Sequence, residues 1–251
     1  MGKVHIGTMG WSYSFWLGTF YPDGTPPDKF LAEYSKHFDT VEVDNTFYRI
    51  PDKGTVAKWR DQTPKDFLFS AKVPRIITHQ KMLRNCEQEL ARFTDNVAHL
   101  QSKLGPLLLQ FPSTFKPEHI SLLADFLPIL PKGYHFAVEV RNEKLLNDSL
   151  YSLLRENGVA FAMVDSPFMP EVDLVTADFA YVRWEGDRRK VKGTLGKVEV
   201  DRTHDIEVWA EKTKNLLGKT SEVFGYFSKY YSGNPTGDAK QFLSLLGSGL
   251  L

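Results

Sequence analysis

Eight short apolar runs punctuate this chain, each giving way to polar or charged residues, then to a loop and a stretch of helical periodicity. The runs are Val4–Gly7, Thr40–Val43, Phe67–Ala71, Leu107–Leu109, Phe136–Val138, Ala160–Val164, Ala180–Val182 and Val223–Phe227. Such alternation predicts an α/β fold, a single (β/α)8 TIM-type barrel whose parallel eight-stranded sheet is closed and ringed by helices. Residues at or just past the ends of the runs include Thr8, Glu42, Asp44, Lys72, Gln110, Glu139, Arg141, Asp165, Arg183 and Glu185. In this architecture that end of the strands carries the chemistry. The most apolar segment, residues 104–111, is too short to cross a bilayer and reads as a central strand buried on both faces.

Helices between the runs are signalled locally. Pro26 and Pro27 open one through His37, since proline is tolerated in a first turn. Residues 84–103 place Cys86, Leu90, Phe93, Val97 and Leu100 at three- and four-residue spacing, an apolar stripe for packing on a barrel. Pro117 starts the next helix, and Pro128 and Pro131 end it. Asp148 is the expected cap of a helix that stops before Gly158, and Thr203 or Asp205 of one running through Leu217. A last helix is expected near Ala239–Leu246. No Pro/Gly/Ser-rich linker divides the chain, so residues 1–251 are expected to form one domain. Two loops exceed the minimum: residues 8–25, rich in aromatics, and 184–202, rich in charge.

Composition narrows the function classes. At 251 residues, with 42% hydrophobic and 25% charged side chains, the chain suits one globular barrel. A formal net charge of zero gives no global pull toward nucleic acid or membrane. The one basic cluster, Asp187–Lys192, is either a solvated loop or, on the rim, a track for phosphates. A single cysteine, Cys86, allows no intrachain disulfide and suits a reducing cytoplasm. The first ten residues lack the basic start and apolar stretch of a signal peptide. A cytoplasmic protein without a membrane partner is therefore expected. Dinucleotide, phosphate-loop and serine-elbow motifs are absent from the sequence.

Strand parity then gathers the candidate chemistry. Side chains two apart share a face, so Glu42 with Asp44, Ser70 with Lys72, Glu139 with Arg141, and Arg183 with Glu185 point together into the upper barrel. One reading is a purely structural ring, with Arg141 and Arg183 neutralising Glu42 and Glu139. The functional reading makes Glu42, Glu139 and Asp165 catalytic acids and bases, with His79 relaying a proton from the rim. Lys72, Arg141 and Arg183 would hold an anionic substrate, with Asp44, Gln110 and Glu185 beside them. Trp11, Tyr13, Tyr48 and Tyr226 would add aromatic contacts, unless the aromatics of the first loop simply plug it onto the barrel. The carboxylates suit a divalent cation such as Mg²⁺ or Mn²⁺, whereas no histidine spacing fits zinc.

The run Gly7-Thr8-Met9-Gly10-Trp11-Ser12-Tyr13, followed by Trp16-Leu17-Gly18 and Phe20-Tyr21-Pro22, resembles the opening signature of the YecE-like family, domain of unknown function 72. Later landmarks agree in order: Thr40–Asp44 leading to Thr46-Phe47-Tyr48, Ile77-Thr78-His79, Leu104-Gly105-Pro106, then Glu139 with Arg141, Asp165 with Pro167, and Tyr181 with Arg183. The resemblance spans nearly the whole chain. It implies a TIM-type barrel and brings no settled reaction. This chain departs from the family's pattern at Asp44, where asparagine is common, at Glu185, where histidine is usual, and at Ser228 and Lys229, where asparagines are frequent.

Three readings remain open at this level. The first is an enzyme using hydrolytic or acid–base chemistry on an anionic, phosphate-containing substrate at the barrel mouth. The second is a nucleic-acid-binding or metal-dependent nuclease-like barrel, and the third a non-catalytic scaffold or ligand-binding protein. Oligomeric state is not encoded in any recognisable pattern.

Overall fold

A computed structural model describes residues 2–247 of the expected domain; residue 1 and residues 248–251 lie outside them. Eight strands are present: β1 Lys3–Thr8, β2 Thr40–Val43, β3 Leu68–Lys72, β4 Leu104–Gln110, β5 Phe136–Glu139, β6 Ala160–Asp165, β7 Phe179–Trp184 and β8 Glu222–Phe227. All pairings are parallel, in the order β1-β8-β7-β6-β5-β4-β3-β2. A bridge between Met9 and Glu42 closes the ring, with the Gly10 amide donating to the Glu42 carbonyl at 2.8 Å. Below it the Tyr34 hydroxyl sits in the seam. It accepts from the Thr8 amide at 2.9 Å and donates to the Thr40 carbonyl at 3.0 Å. Gly7 is needed there, because a Cβ would lie 2.2 Å from the Thr40 carbonyl oxygen.

Among the described residues seven α-helices accompany the strands: α1 Phe30–Tyr34, α2 Lys53–Asp61, α3 Glu87–Val97, α4 Ile120–Phe126, α5 Asp148–Glu156, α6 Thr203–Leu217 and α7 Pro235–Leu246. The expectation of a helix after every strand fails once, because residues 166–178 join β6 to β7 without one. Pro167 and Pro170 in that segment withhold amide donors and clash with helical neighbours. Two caps also differ from expectation. The Asn147 side chain, not Asp148, accepts from the Leu150 amide. At α6 Arg202 occupies the cap position and makes no side-chain cap bond, while Asp201 ahead of it accepts from the Thr203 amide, so neither Thr203 nor Asp205 is the cap.

The barrel interior is graded. At its base His5 stacks on Phe224 and His135 on Phe179, with ring centroids 5.0 and 4.9 Å apart. Above them lies a hydroxyl layer: Tyr226 bonds Thr40 at 2.9 Å, and Tyr181 bonds Ser70 at 2.8 Å. His5 at the base bonds Asp39 at 2.5 Å, and a second charged cluster begins above the hydroxyl layer, where Tyr181 donates to Glu42 at 2.7 Å. The long first loop packs outward as a plug: Tyr21 stacks on Phe30 at 4.5 Å, and Trp16 is fully buried. Cys86 is buried ahead of α3, and burial pushes its thiol up to about 11, which leaves it unreactive. No helix among the described residues is long and apolar enough to cross a membrane.

Candidate functional site

The upper interior is organised around one guanidinium. Arg183, on β7, is bidentate to Glu42 on β2, with Nε and NH2 donating at 2.9 and 2.8 Å. Its NH1 donates to Glu139 on β5 at 2.5 Å and also to Glu185. Arg141 extends the cluster, donating to Glu139 at 2.7 Å and to Glu185 at 3.0 Å. Burial is the largest single influence and would raise the Glu42 and Glu139 carboxyls, but the charges of Arg183, Lys72 and, at Glu139, Arg141, together with the hydrogen bonds they receive, outweigh it and hold both below their ordinary range. Neither carboxylate therefore has a free proton to give near neutral pH. Among the described residues no group of three or more His, Cys, Asp or Glu is placed to hold a metal ion. Glu42, Glu139 and Glu185 converge instead on Arg183, which takes the position a cation would need.

Two groups stand outside this pairing. Asp44, one residue past β2, is half-buried, and its buried Oδ1 has no hydrogen-bond partner among the described residues. Burial and the adjacent Glu42 charge push its carboxyl up to about 7, with Lys72 and Arg183 offsetting part of the rise. Lys72, at the end of β3, bonds only the neutral Gln110 side chain, at 3.2 Å, and its ammonium lies 4.4 Å from the Phe47 ring centre. Burial, then the Arg183 charge, lowers its affinity for a proton. The charges thus balance as three carboxylates (Glu42, Glu139, Glu185) against three cations (Lys72, Arg141, Arg183), and Asp44 is the surplus acid.

These groups floor a cleft of about 590 Å³, into which Arg75 and Arg188 also open from the rim. Neither rim arginine makes an ion pair among the described residues. His79 lines the cleft in a single π-helical turn, Ile76–Gln80, with its Nδ1 2.9 Å from the Thr78 hydroxyl. Burial and the charges of Lys72 and Arg141 lower it to about 4, so the ring is neutral at physiological pH. Tyr48 lines the same cleft and is 73% exposed.

Of the residues singled out from sequence, Asp44, Tyr48, Lys72, His79, Gln110, Arg141, Arg183 and Glu185 line this cleft, and Glu42 and Glu139 lie against its floor. Asp165 is not among them. Its Oδ2 accepts from Trp209 on α6 at 2.9 Å and from Tyr231 at 3.0 Å, away from the barrel interior. Parity explains this, since Ala160 and Ala162 take the inward positions of β6 and leave Asp165 facing out. Trp11 packs edge-on against Trp59 and Phe69 on the outside, and Tyr226 is sealed in the hydroxyl layer. Tyr13 stays at the margin, donating to the Met9 carbonyl at 2.8 Å beneath the Lys229 ammonium. Met9, Phe47, Arg75, Pro112, Ser113, Arg188, Ser228 and Tyr230 complete the lining; Arg188 belongs to the basic run read above as a possible phosphate track, whereas Arg75 and Ser113 were missed. Arg75 lies three residues past Lys72, a spacing that was the available clue.

With this geometry fixed, comparison with known proteins is informative. The family profile described as "Protein of unknown function DUF72" matches residues 5–250. This chain belongs to the DUF72 family. It is 33% identical to the UPF0759 protein YecE of Escherichia coli K12 over 168 residues, 65% of this chain and 59% of that protein. The chain thus spans under two thirds of the length of that relative. With the UPF0759 protein YunF of Bacillus subtilis it shares 27% identity over 97% of this chain and 94% of the other. A crystal structure of a DUF72 family protein from Thermotoga maritima superposes with a TM-score of 0.85 at 27% identity, covering 97% of this chain and 99% of that one. The barrel expected from the strand pattern is therefore the fold of this DUF72 protein. Of the four positions noted as departing from the family's pattern, Asp44, Glu185 and Ser228 line the charged cleft, and Lys229 does not.

Proposed function

We propose that this DUF72 protein is an enzyme acting on an anionic, phosphate-containing substrate at the mouth of the barrel, by hydrolytic chemistry with Asp44 as the proton donor. The observation that carries this reading is the Asp44 carboxyl, unpartnered at Oδ1, beside a cleft rimmed by unpaired arginines. An acid titrating near 7 is half protonated at working pH, where general acid catalysis is most effective. Glu42 and Glu139 act as positioning residues, holding Arg183 and Arg141 under the substrate. Lys72, Arg75 and Arg188 balance its negative charge. As water attacks the phosphorus and the ester P–O bond breaks, Asp44 passes its proton to the departing oxygen, the proton shed by the water goes to the phosphate product, and Asp44 regains its proton from solvent, so the leaving group exits neutral. His79, neutral in this setting, supplies a hydrogen bond rather than a charge.

Sulfate, fully ionised throughout, tests the anion site by calorimetry. Its affinity should fall about tenfold between pH 6 and pH 8 as Asp44 loses its proton, and Asp44→Asn should remove the dependence. Hydrolysis of p-nitrophenyl phosphate esters should show the same ionisation in kcat/KM. Absent sulfate binding, or a pH-independent affinity in the wild type, refutes the reading.

A second reading, binding of a nucleic-acid strand, draws on one observation. An adjoining groove of about 690 Å³ shares Tyr48 and Arg75 with the cleft and is lined further by Arg49, Lys53 and Arg92. Phosphodiester contacts along it would give single-stranded DNA an affinity that falls steeply with salt; salt-independent or absent binding removes this reading.

A further inference from the structure

The charged cleft is one of two lobes. Behind the Arg141–Glu185 ion pair a second cavity of about 410 Å³ opens, and Ser113, Arg141, Glu185, Arg188 and Tyr230 belong to both. Its further walls are of a different kind: Val140 and Val164 rise from the strands, and Phe168 and Met169 come from the helix-free β6–β7 segment. Phe168 is 49% exposed although it lies against this cavity, an aromatic face with no apolar side chain covering it. It is not a loose ring. The Arg189 guanidinium stacks on it at 4.4 Å, and Asp187 holds that guanidinium by two bonds of 3.0 Å. The wall is thus set before any ligand arrives, which spares the ordering entropy a mobile loop would lose.

Gly186 keeps the two lobes continuous. Its φ is +68°, and a Cβ there would come within 2.2 Å of the Tyr230 carbonyl oxygen. Only glycine lets the segment after β7 lie flat against the segment after β8 at the junction. A narrow passage between a cationic lobe and an apolar one fits a ligand with both characters, its anion over Lys72 and Arg188 and its apolar part beyond the ion pair.

We infer that the substrate of this cleft carries a planar aromatic ring attached to its anionic group, and that Phe168, Met169 and Val164 form the ring's binding lobe. This rests on the anionic-substrate reading above and adds the substrate class to it. The basic loop gains a role at the same time, since Arg189 braces the ring's platform while Arg188 faces the anion. A ring sandwiched this way gains contact area with little loss of freedom, because it has few internal rotations to fix.

Benzenesulfonate and methanesulfonate, both fully ionised, separate the two contributions by calorimetry at one pH. Benzenesulfonate should bind about thirtyfold tighter, the ratio expected from burying roughly 80 Å² of additional apolar surface. Phe168→Ser with Met169→Ser should cut that ratio to about threefold or less and leave methanesulfonate unchanged. Arg189→Ala, which frees the ring, should cut it by an intermediate amount. Both changes lie at exposed or half-exposed positions, so folding should persist. Equal affinities for the two sulfonates overturn this inference while leaving the anion site standing. Failure of both sulfonates and of sulfate to bind overturns the parent reading and this one with it. Uridine monophosphate in the same competition distinguishes a nucleobase from a simple aryl group: tighter binding than benzenesulfonate assigns the ring to a base, weaker binding to a small aryl anion.

Discussion

Replacing Asp44 with asparagine should make the protein more stable at alkaline pH, and the amount follows from its surroundings. A carboxyl raised from 3.8 to about 7 holds a proton in the native state that the unfolded chain has released. The unfolded state therefore binds fewer protons between those values, and stability must fall as pH rises through that window. The group's stabilising effect is intact below about pH 4 and is gone once pH passes about 7. Between pH 5 and pH 8 the loss is about 2.5 kcal/mol, or roughly 1.5 kcal/mol if the native value lies one unit lower. Asparagine keeps the shape and cannot ionise, so that slope should vanish.

Guanidinium unfolding of wild type and Asp44→Asn at pH 5 and pH 8 reads this directly. Groups remote from Asp44 contribute equally to both proteins, so the difference between them isolates Asp44 together with Glu42 and Lys72, which feel its charge. An amide beside Lys72 and Arg183 shifts the offset at both pH values and leaves the slope alone. The variant should gain about 2 kcal/mol on the wild type between the two pH values, with unchanged denaturant sensitivity. A difference that is the same at pH 5 and pH 8 would mean that Asp44 is an ordinary carboxylate, and the proton-donor role would fall with it.

Other perturbations probe the frame around this site. Arg183→Met strips the shared partner from three carboxylates and should cost roughly 3–5 kcal/mol at neutral pH, less in acid where they can take up protons; a pH-independent loss in denaturant melts would contradict the network. Tyr34→Phe removes the hydroxyl that bridges β1 and β2 and leaves the Thr8 amide and the Thr40 carbonyl short of a partner. A loss of about 1–3 kcal/mol is expected, with faster exchange of the Thr8 amide as its local signature. Gly186→Ala should lower stability by more than 1 kcal/mol, from a left-handed backbone and a clash with a carbonyl that has nowhere to go; a melting temperature within a degree of wild type would show that the junction yields.

Sequence pattern was sufficient for the barrel and for most of the ring of charge, and its failures have separate physical causes. Strand parity placed Glu42, Glu139 and Arg183 together because side-chain alternation holds inside a regular ladder. Asp165, the last residue of β6 and still paired with Trp184 on β7, obeys the same alternation and had to be judged by its neighbours on β6. Ala160 and Ala162 leave room for the barrel interior, while Phe161 and Met163 belong to the outer shell, so the sequence already held the correct answer for Asp165. Trp11 and Tyr226 were misplaced for a different reason. Aromatic content marks a segment that packs, without saying on which side, and both rings are consumed by the core. The apolar lobe was invisible because Phe168 and Met169 sit in the stretch where prolines replace a helix, and no periodicity marks such a wall.

What no pattern could reveal is which of several carboxylates is free to work. Glu42, Glu139, Asp44 and Glu185 are the same chemistry at adjacent levels of one barrel, yet the arginines partition them. A guanidinium with three carboxylates around it fixes their charge, and a fixed charge cannot transfer a proton. A purely structural ring would consume all its members in this way, at neutral total charge and with its donors and acceptors matched. Here the matching stops short: Asp44 keeps an unmatched oxygen, Lys72 has only an amide, and Arg75 and Arg188 face the same cleft unpaired. Leaving a half-buried acid in that condition destabilises the native state, which the asparagine variant would measure. Under the proposed function the reason is direct: an acid that must be protonated near pH 7 needs the burial and the neighbouring negative charge that Asp44 has.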